Sequence, residues 1–112
     1  LVLNHVGTMH AAAQFALAEA ASAACLQRDF AAVAGSVFAV VRGVQVKYRS
    51  AAQGTLRAFA TPDEFTGANL LSDLATRTRT TATVRVELRD PQDKVTFTAD
   101  FEWFIARAAP AP

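Results

Sequence analysis

The chain has a single cysteine, a net charge of +1, and no uninterrupted apolar run long enough to cross a bilayer. Each of these absences excludes something. Cys25 cannot form an internal disulfide, and within an apolar stretch it reads as a small core residue in a reducing compartment, which implies a cytoplasmic protein. The eleven basic and ten acidic residues are interspersed, so there is no basic stripe of the kind a nucleic-acid binder carries. The longest weakly apolar segment is built from alanine and contains a glutamate, which excludes a membrane span. No secretory leader, internal repeat, linker, cofactor motif or metal-ligand cluster is visible. What remains is one domain over residues 1–112, α+β in class. At 52% hydrophobic and 19% charged it is globular, and long enough for one core but not two. The chain begins on Leu1 inside what reads as a strand, so further residues are expected upstream. Its high apolar fraction for so small a unit points to self-association.

The most informative stretch is Asn4 to Glu19. From Ala11 to Leu26, nine of sixteen residues are alanine and Glu19 is the only charge. This run reads as a helix, with Thr8 as its N-cap and Arg28 beyond its end complementing the helix dipole. It is apolar almost all round, broken only by Gln14, Glu19 and Ser22, and is therefore expected to be covered on most sides. A carboxylate is rarely buried without a partner, because stripping its water costs several kcal/mol or raises its pKa. A lone glutamate kept in such a helix is thus a candidate functional group, with Asn4 and His10 just upstream.

The remainder reads as strands with one interruption. Leu1 to Leu3 has the look of a strand end. Val37 to Arg49 is valine-rich, with Gly43 as a bend, and Thr55 to Thr61 is a shorter strand. Thr61-Pro62-Asp63-Glu64 reads as a helix start with proline at the first helical position, and Gly67 limits or divides that helix. The last third alternates most clearly. Ala82, Val84, Val86 and Leu88 form one apolar face, and Val95, Phe97, Ala99, Phe101, Trp103 and Ile105 form another. The Asp90-Pro91-Gln92-Asp93 loop joins them. Arg42, Lys47, Arg49 and Arg57 read as solvated strand positions.

One apolar helix followed by one-sided antiparallel strands buries both when the sheet wraps around the helix. With these residues in place, the chain resembles the hotdog-fold acyl-CoA thioesterases, in the branch with a His-Gly-Gly motif at the start of the central helix (4-hydroxybenzoyl-CoA and phenylacetyl-CoA thioesterase types). Asn4, His10-Ala11-Ala12 and Glu19 stand where that pattern has an asparagine or glutamine, the His-Gly-Gly motif, and an acid nine residues after the histidine. VKYRSAAQGTLRA is similar to the family's second strand. Both motif glycines are alanine here, Val41 stands where some relatives carry a hydroxyl, and the segment from Pro62 to Leu74 looks inserted.

The resemblance implies hydrolysis of an acyl-CoA or other acyl thioester. Glu19 would act as general base or as nucleophile, and the Ala11 backbone N–H as oxyanion donor at a helix N-terminus. Asn4 would orient water or substrate, and His10 would hold the loop. Ala12, Gln14 and Ser22 are candidate substrate-lining positions, with packing or an interface the favoured reading for Gln14 and Ser22. The family's geometry further implies a homodimer, or a dimer of dimers, whose sites take the acid from one protomer and the helix N-terminus from the other. Two other functional classes compete. One is a non-catalytic acyl-binding or dimerisation module on the same fold. The other is an enoyl-thioester hydratase or dehydratase using His5, fourteen residues before Glu19.

Overall fold

The computed structural model describes residues 11–108. The strand expected at Leu1 to Leu3 and the Thr8 cap lie outside the described residues. The elements in chain order are α1 (Ala11–Asp29), α2 (Ala31–Ala34), β1 (Val37–Tyr48), β2 (Arg57–Pro62), α3 (Glu64–Arg77), β3 (Arg79–Arg89) and β4 (Val95–Arg107). The four strands form one antiparallel sheet in the order β1-β4-β3-β2. The alternation in β3 and β4 sorts side chains cleanly. Val84, Val86, Leu88, Phe97 and Phe101 are fully buried on the face toward α1, and Ala82, Ala99, Trp103 and Ile105 nearly so. The opposite face carries cross-strand ion pairs, Arg42–Glu102 at 2.9 Å and Arg85–Asp100 at 2.8 Å. Helix α1 lies across the apolar face, chiefly over β2 and β3, and this is the sheet-around-helix arrangement expected of a hotdog fold.

Two bulges shape the sheet. The β1–β4 register shifts between Val41 and Gly43, so Gly43 does mark the bend. The β3–β4 register shifts between Leu88 and Arg89, which leaves Thr96 without a partner on β3 and turns it into the core. The hairpin loop is held by Asp90, whose carboxylate accepts from the Gln92 and Lys94 amides at 2.9 Å each, and it closes through Asp93 at φ 66°.

The boundaries differ from expectation in three places. α1 continues three residues past Leu26 to Asp29, and a four-residue helix, α2, follows that no periodicity signalled. Pro62 ends strand β2 instead of starting a helix. The cap of α3 is Asp63, whose carboxylate accepts from the Thr66 amide at 2.8 Å. α3 then runs unbroken through Gly67 to Arg77. A Cβ at Gly67 would meet nothing within 4 Å, so no close packing interrupts the helix there.

The largest correction concerns the rotation of α1. Its buried side is Gln14, Ala18, Ser22, Cys25 and Leu26, so the two neutral polar residues point inward. Ser22 is fully buried; its hydroxyl donates to the Glu19 carbonyl at 2.7 Å and accepts from Trp103 Nε1 at 3.2 Å. Gln14 Oε1 accepts from Thr96 Oγ1 at 3.1 Å. Phe15 packs on Phe101 with ring centroids 5.6 Å apart. Among the described residues the helix is therefore covered on one side only, and Ala12, Ala16, Glu19 and Ala20 are exposed.

A Ser22→Ala substitution leaves the buried Trp103 indole N–H without its acceptor. It should lower the unfolding free energy by about 1–3 kcal/mol, read by urea denaturation, whereas Thr98→Ala on the outer face should stay within about 0.5 kcal/mol of the parent.

Candidate functional site

Glu19 stands on the open flank of α1, and its carboxylate has no hydrogen bond or ion pair among the described residues. On a helix, positions 12, 16, 19 and 23 share a face, so Glu19 interrupts a ridge formed by Ala12, Ala16 and Ala23. The shielding anticipated for this acid is absent within a single protomer. The reason is geometric: the Gln14–Thr96 and Ser22–Trp103 bonds choose which side of α1 faces the sheet, and Glu19 does not lie on that side.

The helix start is tied to the sheet by the Tyr48 hydroxyl, which donates to the Ala11 carbonyl at 3.3 Å, while the Tyr48 ring packs edge-on against Phe97 at 5.2 Å. This brings the end of β1 against the first turn of α1, where Ala11 and Ala12 are exposed. Val41 is half-buried opposite Trp103. Asn4, His5 and His10 lie outside the described residues. Gln14 and Ser22 are buried and hydrogen-bonded within the protomer, so both side chains are engaged with the sheet in this state and neither lines an open surface.

Besides a cavity of about 310 Å³ lined by Arg42, Asp73, Arg77 and Phe104 among others, two cavities lie on opposite faces of the sheet. The larger, about 430 Å³, is a polar basin on the outer face, lined by Lys47, Arg49, Arg85, Glu87, Thr98 and Asp100 among others. Its charges are largely matched internally. Arg85 grips Asp100 through two bonds of 2.8 and 2.9 Å, which holds the carboxyl below its usual range despite partial burial. The smaller cavity, about 240 Å³, is mostly apolar and lies on the α1 side of the sheet, between the second half of α1, α2 and Trp103. Sequence reasoning missed it, because its walls come from α2 and from Leu70 of α3, the two elements whose extent was least legible.

No group of three or more histidine, cysteine or acidic residues suited to a metal ion occurs among the described residues, and no described helix is long and apolar enough to cross a membrane. Cys25 is buried, with Sγ 3.6 Å from Asp29 Oδ2.

The match to the family described as Domain of unknown function (DUF4442) runs over residues 1–105. The chain belongs to the DUF4442 family. No curated protein matches it in sequence. Among solved structures, this DUF4442 chain is similar to a Pseudomonas aeruginosa protein of unknown function, a probable thioesterase (TM-score 0.77, 24% identity, 94% of this chain and 69% of that one). It is also similar to a Bacillus halodurans protein solved with CoA (TM-score 0.71, 17% identity, 93% and 63%). The chain therefore spans about two thirds of the length of these two neighbours. A third is a thioesterase enzyme of Staphylococcus aureus subsp. aureus Mu50, solved as a glutamine-to-alanine variant (TM-score 0.69, 15% identity, 94% and 76%) and again as a glutamate-to-alanine variant; the two replaced positions are fifteen residues apart. The fold shared with these thioesterases is the hotdog fold, an antiparallel sheet wrapped on one long helix.

Burial, and after it the neighbouring Asp29 carboxylate, pushes the Cys25 thiol up from 9.0 to about 11, so it is a poor nucleophile at neutral pH. The folded chain keeps this proton between pH 9.0 and about 11, where the unfolded chain releases it. Stability should accordingly fall as pH rises through that window. Denaturant unfolding at stepped pH should show that slope in the parent and a shallower one in Cys25→Ala.

Proposed function

We propose that this DUF4442 domain hydrolyses an acyl-CoA or related acyl thioester, with Glu19 as its acid–base or nucleophilic group, at a site completed by a second copy of the chain. The observation that carries this reading is the position of Glu19: a carboxylate with no partner among the described residues, on an exposed face of α1, next to a strip of sheet that α1 leaves uncovered. Val37, Val41, Val44 and Val46 on β1 are only half-buried and Ala39 is exposed. A second helix lying there would cover these side chains, exclude water from Glu19, and bring a helix N-terminus toward it.

The sheet edges favour β1 as the joining strand. β1 is twelve residues long, and among the described residues its outer edge is unpaired. β2 has only six residues and ends in a proline, a poorer template for another strand. Phe38 and Val40 at the start of β1 are half-exposed, and the protomer is elongated, with a radius of gyration of 15.8 Å against about 13 Å for a compact domain of this length.

In this reading water attacks the thioester carbon while Glu19 takes its proton, the carbon–sulfur bond breaks, and the CoA thiolate leaves and is protonated. Alternatively, Glu19 attacks directly and water opens the resulting anhydride to the same products. The Ala11 N–H serves the developing oxyanion, since a helical alanine presents the same amide as the family's glycine. Asn4 orients water or substrate, and His10 holds the loop. The Asn4–Glu19 separation of fifteen residues equals that between the glutamine and glutamate replaced in the S. aureus thioesterase structures, which supports pairing them in one site. A homodimer, or a dimer of dimers, and a cytoplasmic location accompany the reading.

Purified protein should release free thiol from at least one member of an acyl-CoA panel, and Glu19→Gln should reduce the rate by about 10²–10⁴. Binding without turnover would transfer the assignment to an acyl-binding module, and hydration of an enoyl thioester to a hydratase. Independently, Ala16→Arg on the ridge should convert a dimer to a monomer by light scattering and lower activity with it. A parent protein that is monomeric at assay concentration yet fully active would contradict the shared site.

A further inference from the structure

The chain holds nine arginines, and seven of them donate to an acceptor. Five pair with carboxylates, Arg49 with the Thr98 hydroxyl and Arg107 with the Leu74 carbonyl. Arg77 and Arg79 have no hydrogen bond or ion pair among the described residues, and both line the cavity of about 310 Å³. Arg77 closes α3 and Arg79 opens β3, with Thr78 between them at φ 64°, so the turn delivers both side chains to one space. Arg107 already meets the carbonyl end of α3, so Arg77 is not needed there. Two like charges on one wall repel. A phosphate between the two guanidinium forks relieves that repulsion and supplies the missing acceptors.

The remaining walls specify more than phosphate. Phe65 is 62% exposed, and with Phe104 it offers aromatic surface to an incoming ring. Asp73 accepts from Thr80 Oγ1 at 3.1 Å through one oxygen, which leaves lone pairs for a donor such as a ribose hydroxyl. Arg42 is engaged by Glu102 and adds no free charge. The volume matches the lower end of small-molecule sites, about 300–1,000 Å³, with room for a ring and a sugar beside the phosphate. Two free cations at one spot suit one phosphate group and fall short of the run that a nucleic-acid strand needs.

We propose that this cavity binds a free nucleoside phosphate, its phosphate between Arg77 and Arg79 and its base against Phe65. The site is separate from that of Glu19. Thr81 and Phe104 project from the sheet face turned away from α1, and α3 packs on β3, two strands from the β1 edge. The proposal stands whether or not a thioester is hydrolysed.

Calorimetric titration of the intact protein at low salt tests it, with adenosine 5′-monophosphate as the probe because stacking does not select a base. The monophosphate should bind saturably, and more tightly than either adenosine or inorganic phosphate. Arg77→Gln and Arg79→Gln, both at exposed positions, should each weaken it by about 10–100-fold. Phe65→Ala should weaken it about fivefold or more, while Arg28→Gln, outside the cavity, should leave it unchanged. Added salt should lower the parent's affinity more than that of the arginine variants. If the monophosphate does not bind, if inorganic phosphate binds as tightly, or if the arginine variants match the parent, the assignment is wrong. The KM for any acyl-CoA that is hydrolysed should be the same in parent and arginine variants. A matching rise in KM would make the cavity the nucleotide end of the substrate site and overturn its independence.

Discussion

The rotation of α1 about its own axis is the constraint from which the rest follows. An alanine-rich helix has little side-chain relief, so nonspecific packing on the sheet would leave several rotations nearly equal in energy. Two buried hydrogen bonds remove that freedom. Ser22 must meet Trp103 and Gln14 must meet Thr96, because either pair broken would leave a polar group in the core unsatisfied, at a cost of about 1–3 kcal/mol. With those four residues engaged, the inward stripe is settled and Glu19 falls on the flank. The acid is placed by what its neighbours bury, not by any contact of its own.

The same constraint explains what could be read from the sequence and what could not. The alternation of β3 and β4, the turn at Asp90 and the bend at Gly43 were legible because each is a local rule with a period or a special residue behind it. The wrapping of the sheet around the helix followed from one apolar helix and one-sided strands needing each other, and the hotdog class from the resemblance carried by Asn4, His10-Ala11-Ala12 and Glu19. The rotation of α1 was not legible. Alanine is nearly neutral between core and surface, so a helix containing nine alanines in sixteen positions carries almost no amphipathic signal. Glu19 in an apolar segment invites a buried reading, whereas Gln14 and Ser22, expected to pack or to meet an interface, are buried. Their partners are about eighty residues away, at Thr96 and Trp103, and no local pattern connects them. Pro62 misled for a related reason: the helix signal around it was real, but Asp63 caps α3 and leaves the proline as the last residue of an edge strand, where its missing N–H costs nothing.

The two faces of the sheet follow different physics. The outer face is a lattice of exposed charge pairs, each contributing little alone because water screens it. Arg57 and Arg89 also lie over Phe59 at 5.4 and 5.1 Å, which covers part of an aromatic ring at the β2 edge. The inner face depends on burial, and α1 alone does not complete it over β1. The charged outer surface and the incompletely covered inner one make the inner side and the β1 edge the surface that the proposed second copy would cover.

The helix between β2 and β3 is best understood through the thinness of α1. Adjacent antiparallel strands need only a short turn, yet here fourteen helical residues intervene. The added closure entropy is modest, since it grows only with the logarithm of loop length. In return, α3 contributes Leu70 and Leu74, both buried, to a core that alanine side chains cannot fill. Both ends of α3 are fastened. Thr66 accepts from the Thr83 amide at 2.8 Å near its start, and the Leu74 carbonyl receives the Thr78 amide and Arg107 Nε near its end, at 3.2 and 3.1 Å. A helix held this firmly to β3 and β4 behaves as part of the scaffold, so a wall that it supplies has a defined position. The volume that α1 leaves empty is therefore a shaped cavity, bounded on one side by the helix that carries Glu19 and on another by Leu70 of α3.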